Sequence, residues 1–202
     1  MALIFLDRQH AGKPGRKGDR GAAADLDEDG KIETWENEAQ LTPRYMLHIE
    51  ERLIGEYGYD VITLSDGWYS DRHARVNKIA SNTTEPMVYC ACHLNAGGGN
   101  YGAVFYDYRS SSGPKLANYI ALALKDACPE LTGGVKLLSA NSGDWTKHAY
   151  NTISGVQRPV GLCLEPCFMD NETHRAMLTE EGLKRIGVAV ADGIHTWIES
   201  QI

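Results

Sequence analysis

No stretch of this chain holds the roughly 18 consecutive apolar residues that a bilayer-spanning helix needs, so membrane insertion is not expected. Positive charge is also scarce: 20 Lys and Arg against 27 Asp and Glu leave a net charge of −7. That disfavours nucleic acid as a partner, because phosphate recognition wants clustered Lys and Arg. The opening MALIFLDRQH lacks the basic start, long apolar core and small-residue cleavage site of a secretory signal, and reads as a buried first strand. The expectation is a chain made in the cytoplasm with no export signal of its own. Cysteines do not pair off either. There are five, an odd number in a chain of 202 residues, which excludes a disulfide scaffold. Cys90, Cys92, Cys128, Cys163 and Cys167, four of them in strand-like stretches, read as buried reduced thiols. Internal repeats and an interdomain linker are absent as well.

What is present is enough apolar material for one packed domain: 43% hydrophobic and 23% charged residues over 202 positions. Strand-like and helix-like segments alternate. Leu3 to Leu6, Asp60 to Leu64, Met87 to Cys92, Ala103 to Tyr108 and Val160 to Leu164 read as strands. Residues 38–57 read as a helix, with Leu41, Tyr45, Ile49 and Leu53 at four-residue spacing and Pro43 as a point of kink or restart. Residues 71–81, Ser112 to Cys128 and Glu180 to Ile198 read as further helices. Apolar strands alternating with helices predict a single α/β domain over residues 1–202, a mostly parallel or mixed twisted sheet with helices on both faces.

Residues 11–34 break the alternation. They are rich in glycine, charge and turn formers, and a loop that long in a compact domain usually carries function or is disordered. Inside it, DLDEDGKIETWE over residues 25–36 fits the calcium loop of an EF-hand. Asp25, Asp27 and Asp29 take positions one, three and five, Gly30 the turn at six, Lys31 a backbone carbonyl at seven, Ile32 the apolar position at eight, Glu33 position nine and Glu36 the bidentate position twelve. The preceding GKPGRKGDRG is no entering helix, so this is half an EF-hand, closer to a dockerin-type loop.

His10 follows the first strand, His93 follows the third, and Glu38 heads the first long helix. Open α/β sheets gather ligands at the carboxyl ends of their strands, and two His with one Glu is a catalytic zinc set that leaves a position for water. Spacing alone does not choose among the seven His of the chain. Glu165 lies in the apolar run VGLCLEPCFM, where a carboxylate is costly unless paired or near a metal.

Four blocks carry a resemblance: IFLDRQHAG, ENEAQL, the segment from Arg75 to Asn77 followed by CHLNAGG, and PVGLCLEPCFMDN. In this order they resemble the zinc N-acetylmuramoyl-L-alanine amidases of the amidase 3 type, from about residue 3 to residue 198. The resemblance implies zinc on His10, Glu38 and His93, and Glu165 as the catalytic carboxylate. It also implies the bond: the amide between the lactyl group of N-acetylmuramic acid and L-alanine in peptidoglycan. Arg75 and Asn95 are expected to support the site or the structure rather than to react. The chain departs from the family's Gly-His-Gly by Gln9-His10-Ala11, which re-aims that turn. Between Glu36 and Glu38, only Glu38 as zinc ligand keeps Leu41, Tyr45, Ile49 and Leu53 on the family's buried helix face; Glu36 is then left to calcium. With a net charge of −7, affinity for an anionic wall must come from the site itself or from another protein. The expected setting is an endolysin released through a holin pore, with a calcium loop that stabilises or activates it through Glu38. A zinc peptidase on wall peptides and a non-catalytic calcium-dependent wall-binding module are the alternatives. Host, stem-peptide preference and oligomeric state are left open.

Overall fold

The run LIFLDR forms strand β1, Leu3–Arg8. Ile4 and Leu6 pack into one core cluster and Phe5 into the other, so β1 is covered on both faces. β2 (Asp60–Leu64) lies at the edge beside it, and β3 (Met87–Cys92) is buried at all six positions. β4 (Gly102–Asp107), β5 (Val135–Ala140) and β6 (Val160–Glu165) complete a six-stranded sheet in the order β2-β1-β3-β6-β4-β5. All neighbours are parallel except β4 and β6, which run antiparallel. The computed structural model describes every residue except 1, 11, 16, 17 and 202.

Helices α1 (Glu38–Gly55), α3 (Gly113–Ala127) and α5 (Glu180–Glu199) cover one face. Their Leu41, Ile49, Leu116, Ile120, Ile186 and Ile194 meet Ile4, Val88 and Leu162 in one cluster. On the other face α2 (Tyr69–Ala80) and α4 (Lys147–Ile153) bring Val76, Ala80 and Ile153 onto Phe5, Tyr89 and Phe105. The result is the single α/β domain with a mixed sheet and helices on both faces that the alternation predicts.

Pro43 neither ends nor restarts α1. A proline leaves the carbonyl four residues earlier without its helical N–H, and here Arg8 Nη2 donates to that carbonyl, Ala39 O, at 2.7 Å. The Asn37 side chain caps the helix by accepting from Gln40 N at 3.2 Å. Arg8, at the end of β1, thereby ties the strand that leads to His10 to the helix that begins with Glu38. A second tie is ionic. Asp7 and Arg72 are both fully buried and paired, and Tyr89 OH donates to the same carboxylate. Arg72 Nη1 also donates to Arg8 O at 2.7 Å, which fixes α2 to the same strand end.

Three elements are not foreseen in the sequence reading: β5, α4 and the 3-10 helix Glu172–Leu178. β5 is a half-exposed edge strand, and α4 is seven residues long with no side-chain cap. All five cysteines are free and buried, as expected.

Candidate metal centre and active site

Because β1, β3 and β6 run parallel, their carboxyl ends open on one edge of the sheet. His10 lies two residues beyond β1, His93 directly follows β3, and Glu165 is the last residue of β6. Glu38, the first residue of α1, is held against them and is 3% exposed.

The three expected zinc ligands meet. One potential ligand atom from each of His10, Glu38 and His93 falls within 4.8 Å of the others. His93 Nδ1 lies 2.7 Å from Glu38 Oε1, and His10 Nε2 lies 3.3 Å from Glu38 Oε2. The two imidazoles stand edge to face with centroids 5.2 Å apart. Both Glu38 oxygens are also fixed by the backbone: Ala22 N donates to Oε2 at 2.9 Å and Leu94 N to Oε1 at 3.1 Å. Burial pushes the Glu38 carboxyl up, but His93 and then His10 outweigh it and hold it below the ordinary range. Burial pulls the His93 imidazole down, and the Glu38 charge and hydrogen bond lift it back above its usual value. Two imidazoles and a carboxylate with converging nitrogen and oxygen atoms are a donor set that suits zinc.

His10 sits in the left-handed backbone region at φ +57°, unusual for a residue with a side chain. Its Nδ1 faces Asp19 Oδ1 at 2.9 Å, and Lys13 Nζ lies 3.1 Å from Asp19 Oδ2. Burial pushes the Asp19 carboxyl up; the hydrogen bonds with His10 and Lys13 outweigh it and bring it to about 2. Of the two neighbours read as re-aiming this turn, Gln9 is fully buried and Ala11 lies outside the described residues.

Glu165 shares a cavity of about 370 Å³ with the three ligands, and His148 and Asn151 on α4 form part of the same lining. Its Oε2 is buried and has no hydrogen-bond partner among the described residues. Burial pushes this carboxyl up; the His93 charge opposes and Glu38 adds to the rise, leaving it at about 7. A larger hollow, about 510 Å³, lies at the opposite end of β6 between Arg109 and Arg158, away from any of these groups. Arg75 pairs with Asp66 at 2.9 Å on the surface, a structural place. Asn95 lines the cavity, and its backbone bridges to Phe168 in the segment after Glu165.

The acidic loop stands beside this centre. Asp25, Asp27 and Glu36 bring carboxylate oxygens within 4.8 Å of one another, as do Asp27, Asp29 and Glu33. Gly30 makes the expected sharp turn at φ +88°. Glu36 is fully buried and accepts from Asp27 N at 3.2 Å and Glu33 N at 2.8 Å. Asp25 Oδ2 accepts from Gly30 N at 2.9 Å, and Asp29 Oδ1 from Lys31 N at 2.9 Å. A hydrogen bond shared with Glu36, then burial and the charges of Asp29, Glu36 and Asp27, push Glu33 up to about 7. No helix enters the loop among the described residues, and Glu36 lies in a turn two residues ahead of α1. The loop closes on an antiparallel stem: Ala23 bridges Asn37, Glu38 N donates to Ala22 O at 2.8 Å, and Ala39 N to Arg20 O at 3.0 Å.

The sequence reading missed Asp19, Lys13 and the Asp7–Arg72 pair. A signal for Asp19 exists: it is the only carboxylate between His10 and Asp25. Asp7 is likewise marked by the run of four apolar strand residues ahead of it.

Comparison with known proteins bears on the whole chain. The amidase 3 family, described as N-acetylmuramoyl-L-alanine amidase, matches residues 4–196. A search of the curated proteins finds no match. Among solved structures, the N-acetylmuramoyl-L-alanine amidase from Clostridium difficile 630 superposes with a TM-score of 0.73 at 14% identity, covering 99% of this chain and 98% of that one. AmiC2 of Nostoc punctiforme gives 0.71 at 16% identity, covering 98% and 97%. The catalytic domain of CwlV from Bacillus (Paenibacillus) polymyxa gives 0.69 at 20% identity, covering 98% and 99%.

Proposed function

The chain belongs to the amidase 3 family of N-acetylmuramoyl-L-alanine amidases, and from that premise we propose that it hydrolyses the muramoyl–L-alanine amide of peptidoglycan with zinc on His10, Glu38 and His93. One observation carries the proposal: two imidazoles, a fixed carboxylate and a second carboxylate whose titration is raised toward neutrality converge in one cavity at the carboxyl ends of three parallel strands. Bound there, zinc would supply Lewis acidity toward the scissile carbonyl and the attacking water.

The remaining steps belong to the chain. Glu165, with a free Oε2 and a carboxyl near neutrality, accepts a proton from the attacking water. The water oxygen bonds to the carbonyl carbon, the C–N bond breaks, and the same carboxyl returns the proton to the departing alanine nitrogen. The products are a lactyl carboxylate and a free amine. Glu38, clamped by Ala22 N and Leu94 N, cannot swing into that role. Digestion of purified cell walls is the test. Freed muramic lactyl groups with new L-alanine amino termini support the reading, new termini within the peptides would make the chain a peptidase, and no cleavage would leave a binding module. In the same assay Glu165→Gln keeps zinc but loses lysis, whereas His93→Ala loses both; equal metal loss in the two would overturn the division of roles.

We further propose that the loop over Asp25, Asp27, Asp29, Lys31 and Glu36 takes calcium, supported by its EF-hand spacing and by its two overlapping triads of carboxylates. Its ends lead straight into the stem whose Ala22 holds Glu38, so ordering the loop would steady a zinc ligand. Lysis and melting temperature are measured on zinc-loaded protein with calcium withdrawn and returned. Both rise with calcium on this proposal, and no change in either refutes it.

A further inference from the structure

We infer that Asp19 is the positioning residue of His10: its carboxylate takes the imidazole Nδ1–H and so turns Nε2 to the metal, with Lys13 and Tyr69 holding the carboxylate in place. The inference rests on the zinc reading above and adds to it a residue outside the ligand set.

The geometry runs as a chain of contacts. Tyr69, the first residue of α2, has its OH 3.3 Å from Lys13 Nζ, which also stands 4.8 Å above the Tyr69 ring. Lys13 Nζ meets Asp19 Oδ2 at 3.1 Å, and Asp19 Oδ1 meets His10 Nδ1 at 2.9 Å. The Lys13 side chain is 4% exposed and that of Asp19 19%. A lysine stem that buried is anchored, not wandering in solvent. On its far side the imidazole presents Nε2 to Glu38 Oε2.

An imidazole that binds a metal through one nitrogen must carry its proton on the other, and an acceptor at that second nitrogen sets both the tautomer and the ring plane. His10 has particular need of this. Its backbone is left-handed and no regular element holds it, since β1 ended two residues earlier. His93 is placed by the sheet itself, with its N–H donating to Leu164 O at 3.0 Å and its carbonyl accepting from the buried Tyr45 hydroxyl at 3.0 Å. Lys13 and Asp19 thus form a clamp that brings a carboxylate back to the ligand.

Zinc affinity, measured by competition with a chromophoric chelator, tests the inference without reference to turnover. Asp19→Ala should weaken zinc binding about 10- to 100-fold, with Asp19→Glu recovering part of the loss. Lys13→Met should weaken it less. A merely structural Asp19 would lower the melting temperature of the zinc-free protein and leave affinity unchanged, and that result overturns the inference. Should Asp19→Ala not fold, the wild type still decides. Long-range proton–nitrogen correlation of the His10 ring should show the proton on Nδ1; a proton on Nε2 defeats the proposal. Wild-type protein that binds no zinc would sink this inference together with the reading it rests on, whereas tight zinc in both wild type and Asp19→Ala sinks this inference alone.

Discussion

Glu165 and Glu33 are both carboxyls lifted to about 7, and the places that lift them are opposites. Glu165 is raised first by burial, in a pocket where Glu38 already faces two imidazoles. Glu33 is raised first by a hydrogen bond shared with Glu36, in a loop where every nearby side chain of the two triads is an acid. In the pocket, charge is matched and oriented before any ligand arrives: backbone N–H groups hold Glu38, and Asp19 holds His10. In the loop, backbone N–H groups orient the oxygens, but among the described residues no cationic side chain forms an ion pair with the acids of the two triads. The first is a preorganised centre and the second, on the proposal above, is one that a cation would complete, so the two should fail differently when disturbed.

The largest difference is expected from paired carboxylate-to-amide changes. Glu165→Gln keeps size and shape but removes the group that moves the proton, so kcat should fall by about 10²–10⁴-fold with zinc content and melting temperature intact. Glu36→Gln should lower the melting temperature and abolish its response to calcium, with lysis at saturating substrate falling far less. A kcat loss in Glu36→Gln as large as that in Glu165→Gln would erase the distinction.

Glycines sharpen the comparison next. Gly21 and Gly30 both have positive φ, +66° and +88°. A Cβ on Gly21 would come 2.2 Å from Glu38 Oε2 and 2.9 Å from His10 Cδ2, whereas one on Gly30 meets nothing within 4 Å. Gly21→Ala therefore displaces two ligands at once and should cost at least tenfold in zinc affinity. Gly30→Ala carries only the backbone strain, about 1 kcal/mol, read as a small drop in melting temperature. Equal zinc affinity in wild type and Gly21→Ala would mean that the ligands tolerate movement and the pocket is not preorganised.

These contrasts also show what a sequence gives up readily. β1, β3 and β6 are legible because LIFL, MVYCAC and VGLCLE are apolar runs that only a doubly covered sheet can bury. His93 and Glu165 come with them, since each follows or ends such a run. β5 is obscure because this half-exposed edge strand, VKLLSA, shows neither an apolar run nor a regular alternation, and α4 because seven residues give too few turns to show a period. Asp19 is hidden for another reason. Its partner is nine residues away across glycines, and neither the left-handed backbone of His10 nor the path of that loop follows from residue type. Arg72 finds Asp7 across 65 residues, a pairing only the packed sheet creates.

A pH series separates the two lifted carboxyls. Both belong to groups with an ordinary value of 4.5. Between about 4.5 and 7 the folded chain keeps their protons while the unfolded chain releases them, so stability falls as pH rises through that window. Calcium in the loop would favour the ionised form of Glu33 and remove its share of the fall, and leave the share of Glu165 untouched. Urea midpoints of zinc-free protein at several pH values, with and without calcium, read this out, since a zinc ion beside Glu165 would itself favour the ionised carboxylate. Glu33→Gln should flatten the curve as calcium does, and a slope that calcium leaves unchanged would contradict a cation site at these acids.

The smallest effect concerns how the loop is attached. Arg175, in the 3-10 turn at Glu172–Leu178 that follows the Glu165 strand, pairs with Glu28 at the exposed tip of the loop. Side chains this accessible are screened by water and salt, and their pairing adds little. The antiparallel stem joins the loop to Glu38 through backbone hydrogen bonds that salt does not weaken. Arg175→Gln should therefore lower the melting temperature by no more than a few degrees, less at high salt, and leave kcat and the calcium response as they were. Loss of the calcium response in this variant would place the coupling between loop and pocket in a surface ion pair, and the stem would no longer be the element that joins them.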